Sequence, residues 1–436
     1  MPHRLICFFL LLFFMSSAVT GQGIESFILD NGLKVIVKAD HRAPVAVVQI
    51  WYKVGSADES PGKRGISHLL EHMMFKSYNN PLLAEDFRQL TRVGARRNAY
   101  TQRDYTFYYY MLNKAYLEWV IHLEAQRMQG LFANEASLKI EKKIIQEEIN
   151  SQLSKDPFYS LNDRLYKLAF QHSGYQYPII GNIKDIQQLS LAQIKQWHQQ
   201  YYTPDNAILV VTGDVKTSDV FKWASDYFSI IKKKRSVPFK TRTPESALAE
   251  IHSSIPGTFH TGKLLMAFRV PSIKTAVPIQ DAYALEVLAG WLDSGVHSRL
   301  TDALIWDKPR AQDLSIHYTL MTRYDSLFII EAIPLRGVNM QQLENALVQE
   351  LEVIKKQAIS QSELQKVKNQ MIAAEIFEQD SSYIQAKIIG QAEVIDIPWS
   401  VDAQYIERIK AVTPEQIQQL LKKYFTANNQ IIITSP

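Results

Sequence analysis

The sequence predicts an α+β fold made of two homologous halves, and three observations carry that prediction. At 436 residues, with 46% hydrophobic and 21% charged content, the chain has the length and apolar stock for two domains of about 200 residues each. Leu189–Val211 (LSLAQIKQWHQQYYTPDNAILVV) aligns without a gap to Val412–Thr434 (VTPEQIQQLLKKYFTANNQIIIT), 223 positions on, with seven identities in 23 positions. Each copy reads as a helix, a polar turn and an apolar strand. Finally, long helical patterns (Ala115–Met128, Gln341–Lys356, Ser362–Gln379) mix with strand patterns such as KVIVKAD and AVVQIWYKV. Helices among strands at hairpin-like spacing indicate α+β layers more than a doubly wound sheet.

Taken in order, the chain opens with Arg4, an apolar run from Leu5 to Met15, and the small residues Ser16, Ser17 and Ala18. This is the pattern of a secretory signal, too short to span a bilayer comfortably. Residues 1–21 are expected to be removed by cleavage between Ala18 and Gln22, leaving a periplasmic protein, with secretion as the second reading. No other segment reaches the length of a membrane span, so none is expected after signal cleavage. Cys7 is the only cysteine and lies inside the signal. The mature chain then has no disulfide, and any zinc-type site must be built from histidine and carboxylate. The net charge of +4 is small for this length and leaves no nucleic-acid footprint.

The first half is expected over 22–234 and the second over 259–436. Between them 235–258, rich in Lys, Arg, Ser and Pro, reads as a solvated linker.

The first half carries the chemistry. In GISHLLEHMMF (Gly65–Phe75), His68 and His72 are four apart and stand on one face of a greasy helix, with Glu71 beside them. This His-x-x-Glu-His order is the inverzincin signature. Two neutral imidazoles at that spacing can converge on one Zn²⁺, and the glutamate can reach a water there as general base. A third ligand is sought in KIEKKIIQEEINSQ. On a helical wheel of about 100° per residue, Glu141 and Glu148 fall inside the apolar arc of Ile140, Ile144, Ile145 and Ile149, while Glu147 lies at its edge. Buried carboxylates need a partner, which a salt bridge or a metal ion can supply. Beside His68 and His72 the pair reads as the source of a His₂Glu zinc site.

GISHLLEHMMFKS, GARRNAYTQRDYTFYY (Gly94–Tyr109) and EKKIIQEEI together resemble the pitrilysin/insulinase family of zinc metallopeptidases. The similarity is greatest to the branch with two-domain subunits like mitochondrial processing peptidase, in a bacterial exported form. It continues through YYTPDNAILVVTGDV and DAYALEVLAGWLDSGVHSRL, nearly the whole mature chain. The resemblance implies two α/β-layered halves of the LuxS/mitochondrial processing peptidase-like metallohydrolase type, the second without a metal motif. It implies one Zn²⁺ per chain held by His68, His72 and Glu148, with Glu71 as base and Glu141 as a buried helper. RNAYT (Arg97–Thr101) resembles the family's edge strand, where an extended peptide adds by backbone hydrogen bonds, so Asn98 and Ala99 would border the scissile bond. The activity expected is zinc-dependent endopeptidase action on extended or unfolded peptides. The alternative is a non-catalytic peptide-binding or scaffold subunit of the same fold, against which the filled motif argues.

The second half departs from the family pattern. Where relatives carry an Arg and then a Tyr that hold substrate over the zinc, Ile305 and Gln312 stand; Arg310 and Tyr318 would substitute only with a change of register. Relatives of this size are dimers, so the departure suggests a heterodimer with a homologous subunit that lacks the zinc motif and supplies the missing pair. His122, His297 and His317 stand outside any such constellation and read as surface or packing residues.

Overall fold

Two sheets of matching strand order organise the chain. The computed structural model describes residues 23–75, 81–155, 159–234, 245–246, 248–255, 262–293, 295 and 297–435. The signal expected at 1–21 and most of the basic part of the linker lie outside these residues. The first sheet contains β1 (Ile24–Ile28), β2 (Lys34–Ala39), β3 (Val45–Tyr52), β4 (Arg96–Thr101), β5 (Thr106–Asn113) and β6 (Ala207–Gly213), in the order β1-β2-β6-β3-β5-β4. The second contains β7 (Ile251–Ser254), β8 (Lys263–Val270), β9 (Ala311–Tyr318), β10 (Ser326–Pro334) and β11 (Gln430–Ser435), in the order β7-β11-β8-β10-β9.

Apart from the extra β1, the orders correspond strand for strand. The single parallel pairing in each, β2 with β6 and β7 with β11, falls at the same place. The repeat seen in the sequence is therefore a repeat of topology: β6 and β11 begin at Ala207 and Gln430, 223 residues apart. β7 lies within the stretch expected as linker. Ile251 and Ser253 alternate inward along it, and its parallel pairing with β11 makes it part of the second sheet.

Eight helices accompany the first sheet: α1 (Ile66–Phe75), α2 (Pro81–Arg92), α3 (Leu117–Gln129), α4 (Glu135–Lys155), α5 (Tyr159–Ala169), α6 (Ile183–Gln188), α7 (Leu191–Tyr201) and α8 (Thr217–Phe228). The second half opens its helical layer with α9 (Gln280–Leu292). One face of the first sheet (Val35, Val37, Val48, Ile50) packs on its own helices, including Leu69, Leu70 and Met73 of α1.

The halves exchange helices. α5 of the first half lies on the second sheet, its Leu161 and Leu165 against Leu265, Ala267 and Ile433. Its counterpart Ser382–Val394, 223 residues on, lies against β3 and β6 of the first sheet. There Gly390 meets the ring of Trp51 so closely that an added Cβ would fall 2.1 Å from its Nε1. Gln49 Nε2 and Thr212 Oγ1 donate to the carbonyls of Tyr383 and Ser382, at 3.1 and 2.7 Å.

A buried ionic clasp adds to this exchange. Arg323, in the β9–β10 turn, donates Nη1 and Nη2 to Asp58 at 2.8 and 3.0 Å, and Nε to Asp104 at 3.1 Å. All three side chains are buried.

Candidate active site

The site is built on α1. Gly65, at φ +93, turns the chain into this helix where a Cβ would strike the Ile180 carbonyl. The buried Glu59 carboxylate accepts from the backbone N–H groups of Gly65 and Ser67, at 2.7 and 2.9 Å, so a side chain outside the helix holds its first turn. Burial pushes Glu59 up to about 8 in spite of these donors. Ile66, Leu69, Leu70, Met73 and Met74 face the core. That leaves His68, Glu71 and His72 on the flank toward α4.

One ligand atom each from His68, His72 and Glu148 lies within 4.8 Å of the others, and among the described residues this is the metal-type cluster that forms. The imidazole rings are 4.6 Å apart at 68°. His72 Nε2 is 3.7 Å from Glu148 Oε2, while its Nδ1 is 3.2 Å from Glu141 Oε2. The helical wheel left Glu141 and Glu148 as equals; the fold separates them. Glu141 is completely buried behind His72, and Glu148, about a third exposed, faces the same space as the imidazoles. Gln152 Nε2 donates to Glu148 Oε1 at 3.4 Å.

Two observations make this donor set fit a metal ion. The ligand atoms converge, and His68 Nδ1 is buried with no hydrogen-bond partner. Burial, with His72 adding, drops His68 to about 3, so it is neutral and has a lone pair to offer. Borderline nitrogen and carboxylate donors in a three-residue set are those of an open zinc site.

Glu71 stands at the cavity beside the cluster, and Thr101 Oγ1 donates to its Oε2 at 2.6 Å. Burial raises its carboxyl above the usual range against that hydrogen bond, and Glu148 adds to the rise. The cavity, of about 560 Å³, runs between α1, the end of β4 and α5, with Ala99, Arg103 and Asp163 on its walls. β4 is the last strand of its sheet. Ala99 is buried at the cavity; Asn98 is exposed, and its Oδ1 accepts from the Ala99 N–H at 3.0 Å. Thr101, Glu59 and the α5 side chains carried no motif; Thr101 becomes visible only once β4 is laid beside α1.

The second half has no such donor set. Lys142 Nζ donates to the carbonyls of Gln187 and Leu189, and Lys368 Nζ to those of Lys410 and Val412, 223 residues further on in each case. Matching these two lysines places Val367 opposite Glu141 and Ala374 opposite Glu148. Ile305 packs against the second-half core, Gln312 is exposed on β9, and the Tyr318 hydroxyl donates to the Pro271 carbonyl at 2.8 Å. Arg310 is exposed and donates to the neighbouring Pro309 carbonyl. His122, His297 and His317 are all exposed.

Fold and site together define an inverzincin-type peptidase fold, and comparison with known proteins gives the family. The insulinase (peptidase family M16) model matches residues 34–182, and the model of the peptidase M16 inactive domain matches 188–371. The chain belongs to the M16 peptidase family. It is 31% identical over 351 residues to the zinc protease PqqE of Helicobacter pylori, covering 79% of this chain and 77% of that one. It is 24% identical over 424 residues to the uncharacterized zinc protease YmxG of Bacillus subtilis, covering 95% and 98%. The crystal structure of a protease from Helicobacter pylori superposes with a TM-score of 0.88 at 28% identity, covering 95% of this chain and 99% of that one.

Proposed function

We propose that this chain is a zinc-dependent endopeptidase that hydrolyses extended peptides. The observation that carries the reading is the convergence of His68, His72 and Glu148 within 4.8 Å, with the Glu71 carboxylate beside them in a cavity at a sheet edge. His68, His72 and Glu148 would hold Zn²⁺, which when bound lowers the pKa of water and polarises a carbonyl. Glu141 accepts the Nδ1–H of His72, fixing the tautomer that leaves Nε2 free to ligate. Thr101 holds the Glu71 carboxylate by one oxygen. The other oxygen takes a proton from the attacking water and later hands it to the leaving amine. The β4 edge, with Asn98 and Ala99, supports an extended substrate by strand addition.

The test is cleavage of an unstructured quenched peptide by the mature chain before chelation, after it, and after zinc is restored. Activity that follows the metal supports the reading; activity unchanged by removal of the metal contradicts it.

We also propose export to the periplasm through the N-terminal signal. Among the described residues no helix is long and apolar enough to cross a membrane. The positions where relatives carry Arg and Tyr hold Ile305 and Gln312. A homologous partner without the metal motif would supply that pair in a heterodimer. A fully active homodimer by size-exclusion and mass measurement would overturn this.

A further inference from the structure

The second half contains a counterpart of the metal cavity, made by the corresponding elements. α9, the chain just past β9, and the helices Gln361–Glu378 and Ser382–Val394 surround a space of about 390 Å³. They answer to α1, the end of β4, α4 and α5 around the first cavity. Ala374 occupies the place of Glu148, so the metal set is gone. Carboxylates of a different origin have taken over: Glu286 from α9, and Glu375 and Glu378 from one turn of the helix Gln361–Glu378.

These carboxylates are short of positive charge. One oxygen of Glu286 accepts from the Tyr405 hydroxyl, but its Oε2 is buried with no hydrogen-bond partner. Glu375 Oε1 has a long bond, 3.4 Å, from Gln379 Nε2, and Lys38 acts on it from the first half. Burial, with Glu375 and Glu378 adding, lifts Glu286 to about 7. Leu320 and Met371 give the walls an apolar part, which suits an alkyl stem behind a cationic head.

The two cavities connect. A smaller one, of about 110 Å³, shares Arg103 and Tyr166 with the metal cavity and Thr319, Met321 and Gln391 with the carboxylate cavity. A chain lying at β4 thus has a lined path to the second half.

We propose that the second cavity is a cation subsite that receives a lysine or arginine side chain of the same peptide whose scissile bond lies at the first. This rests on the peptidase reading above. A cationic head there would give Glu286 Oε2 its partner and offset the repulsion among three carboxylates.

The test is binding, not turnover. Metal-free mature chain is titrated with a labelled, acetylated, unstructured peptide carrying one lysine, and with the same peptide carrying norleucine. The lysine peptide should bind about tenfold tighter, with an advantage that shrinks as salt rises. Glu286→Gln should abolish most of that preference, and so should the double variant Glu375→Gln, Glu378→Gln on the helix surface, with thermal unfolding checking that each is folded. Equal binding of the two peptides would overturn the proposal, as would a preference that survives both variants. A preference lost instead in Asp163→Asn would put the cation in the metal cavity and also overturn it. Because metal is absent throughout, a failure of hydrolysis in the zinc-loaded chain would count against the peptidase reading alone.

Discussion

Glu141 is the residue whose role the fold defines most sharply. It is wholly buried and its Oε2 is 3.2 Å from His72 Nδ1, so it acts on the metal through the imidazole. Glu141→Gln keeps the three ligands but weakens the hold on the His72 tautomer. Zinc affinity, read by competition with a chelator, should fall about 10–100-fold; an unchanged affinity would remove Glu141 from the site. His198 offers a second test at this scale. It is buried with Nε2 3.1 Å from the Arg127 carbonyl, and burial drops it to about 4 from an ordinary 6.5. Between those values the unfolded chain binds a proton that the folded chain refuses. The stability His198 contributes is complete above pH 6.5 and is lost as pH falls toward 4. In metal-free protein, His198→Gln should therefore lose less melting temperature than wild type across that window. An identical acid limb would contradict the assignment.

Among the elements, the sequence announced some features and hid others. The motif on α1 was legible because two histidines and a glutamate on a greasy face have few other uses. The wheel over α4 correctly separated Glu141 and Glu148 from the exposed Glu147. It could not rank the two, because depth depends on where α1 lies. Ile140 shows the limit of the wheel: it sits at the edge of the apolar arc and is 51% exposed. The exchange of α5 and Ser382–Val394 left no local trace, since each helix buries an ordinary apolar face and only tertiary contacts say on which sheet. Gly390 is the residue that makes the second contact possible. Gly390→Ala places a methyl against the stacked Trp51–Phe107 pair, whose ring centroids are 4.1 Å apart. It should cost about 1–3 kcal/mol in denaturant unfolding; a loss below about 0.5 kcal/mol would mean the helix shifts freely.

At the scale of the whole molecule, the two halves are joined by exchange of helices and by the Arg323 clasp. Asp58 and Asp104 flank the segments that lead into α1 and out of β4, so the second half grips the scaffold of the site. Arg323→Met would strand two buried carboxylates and should destabilise by about 3–5 kcal/mol. Adding Asp58→Asn and Asp104→Asn should recover part of that loss, and no recovery would point to packing rather than charge. The repeat that organises this architecture was visible as seven identities, but its consequence was not: the copied cavity lost its ligands and acquired carboxylates.

The central claim is that Glu71 moves the proton while His68, His72 and Glu148 hold the metal. The measurement that tests it most directly is zinc content and peptide hydrolysis on one preparation of Glu71→Gln beside wild type. The account predicts one zinc per chain in both, with turnover reduced by at least about 10²-fold in the variant. Zinc retained together with undiminished hydrolysis would contradict it.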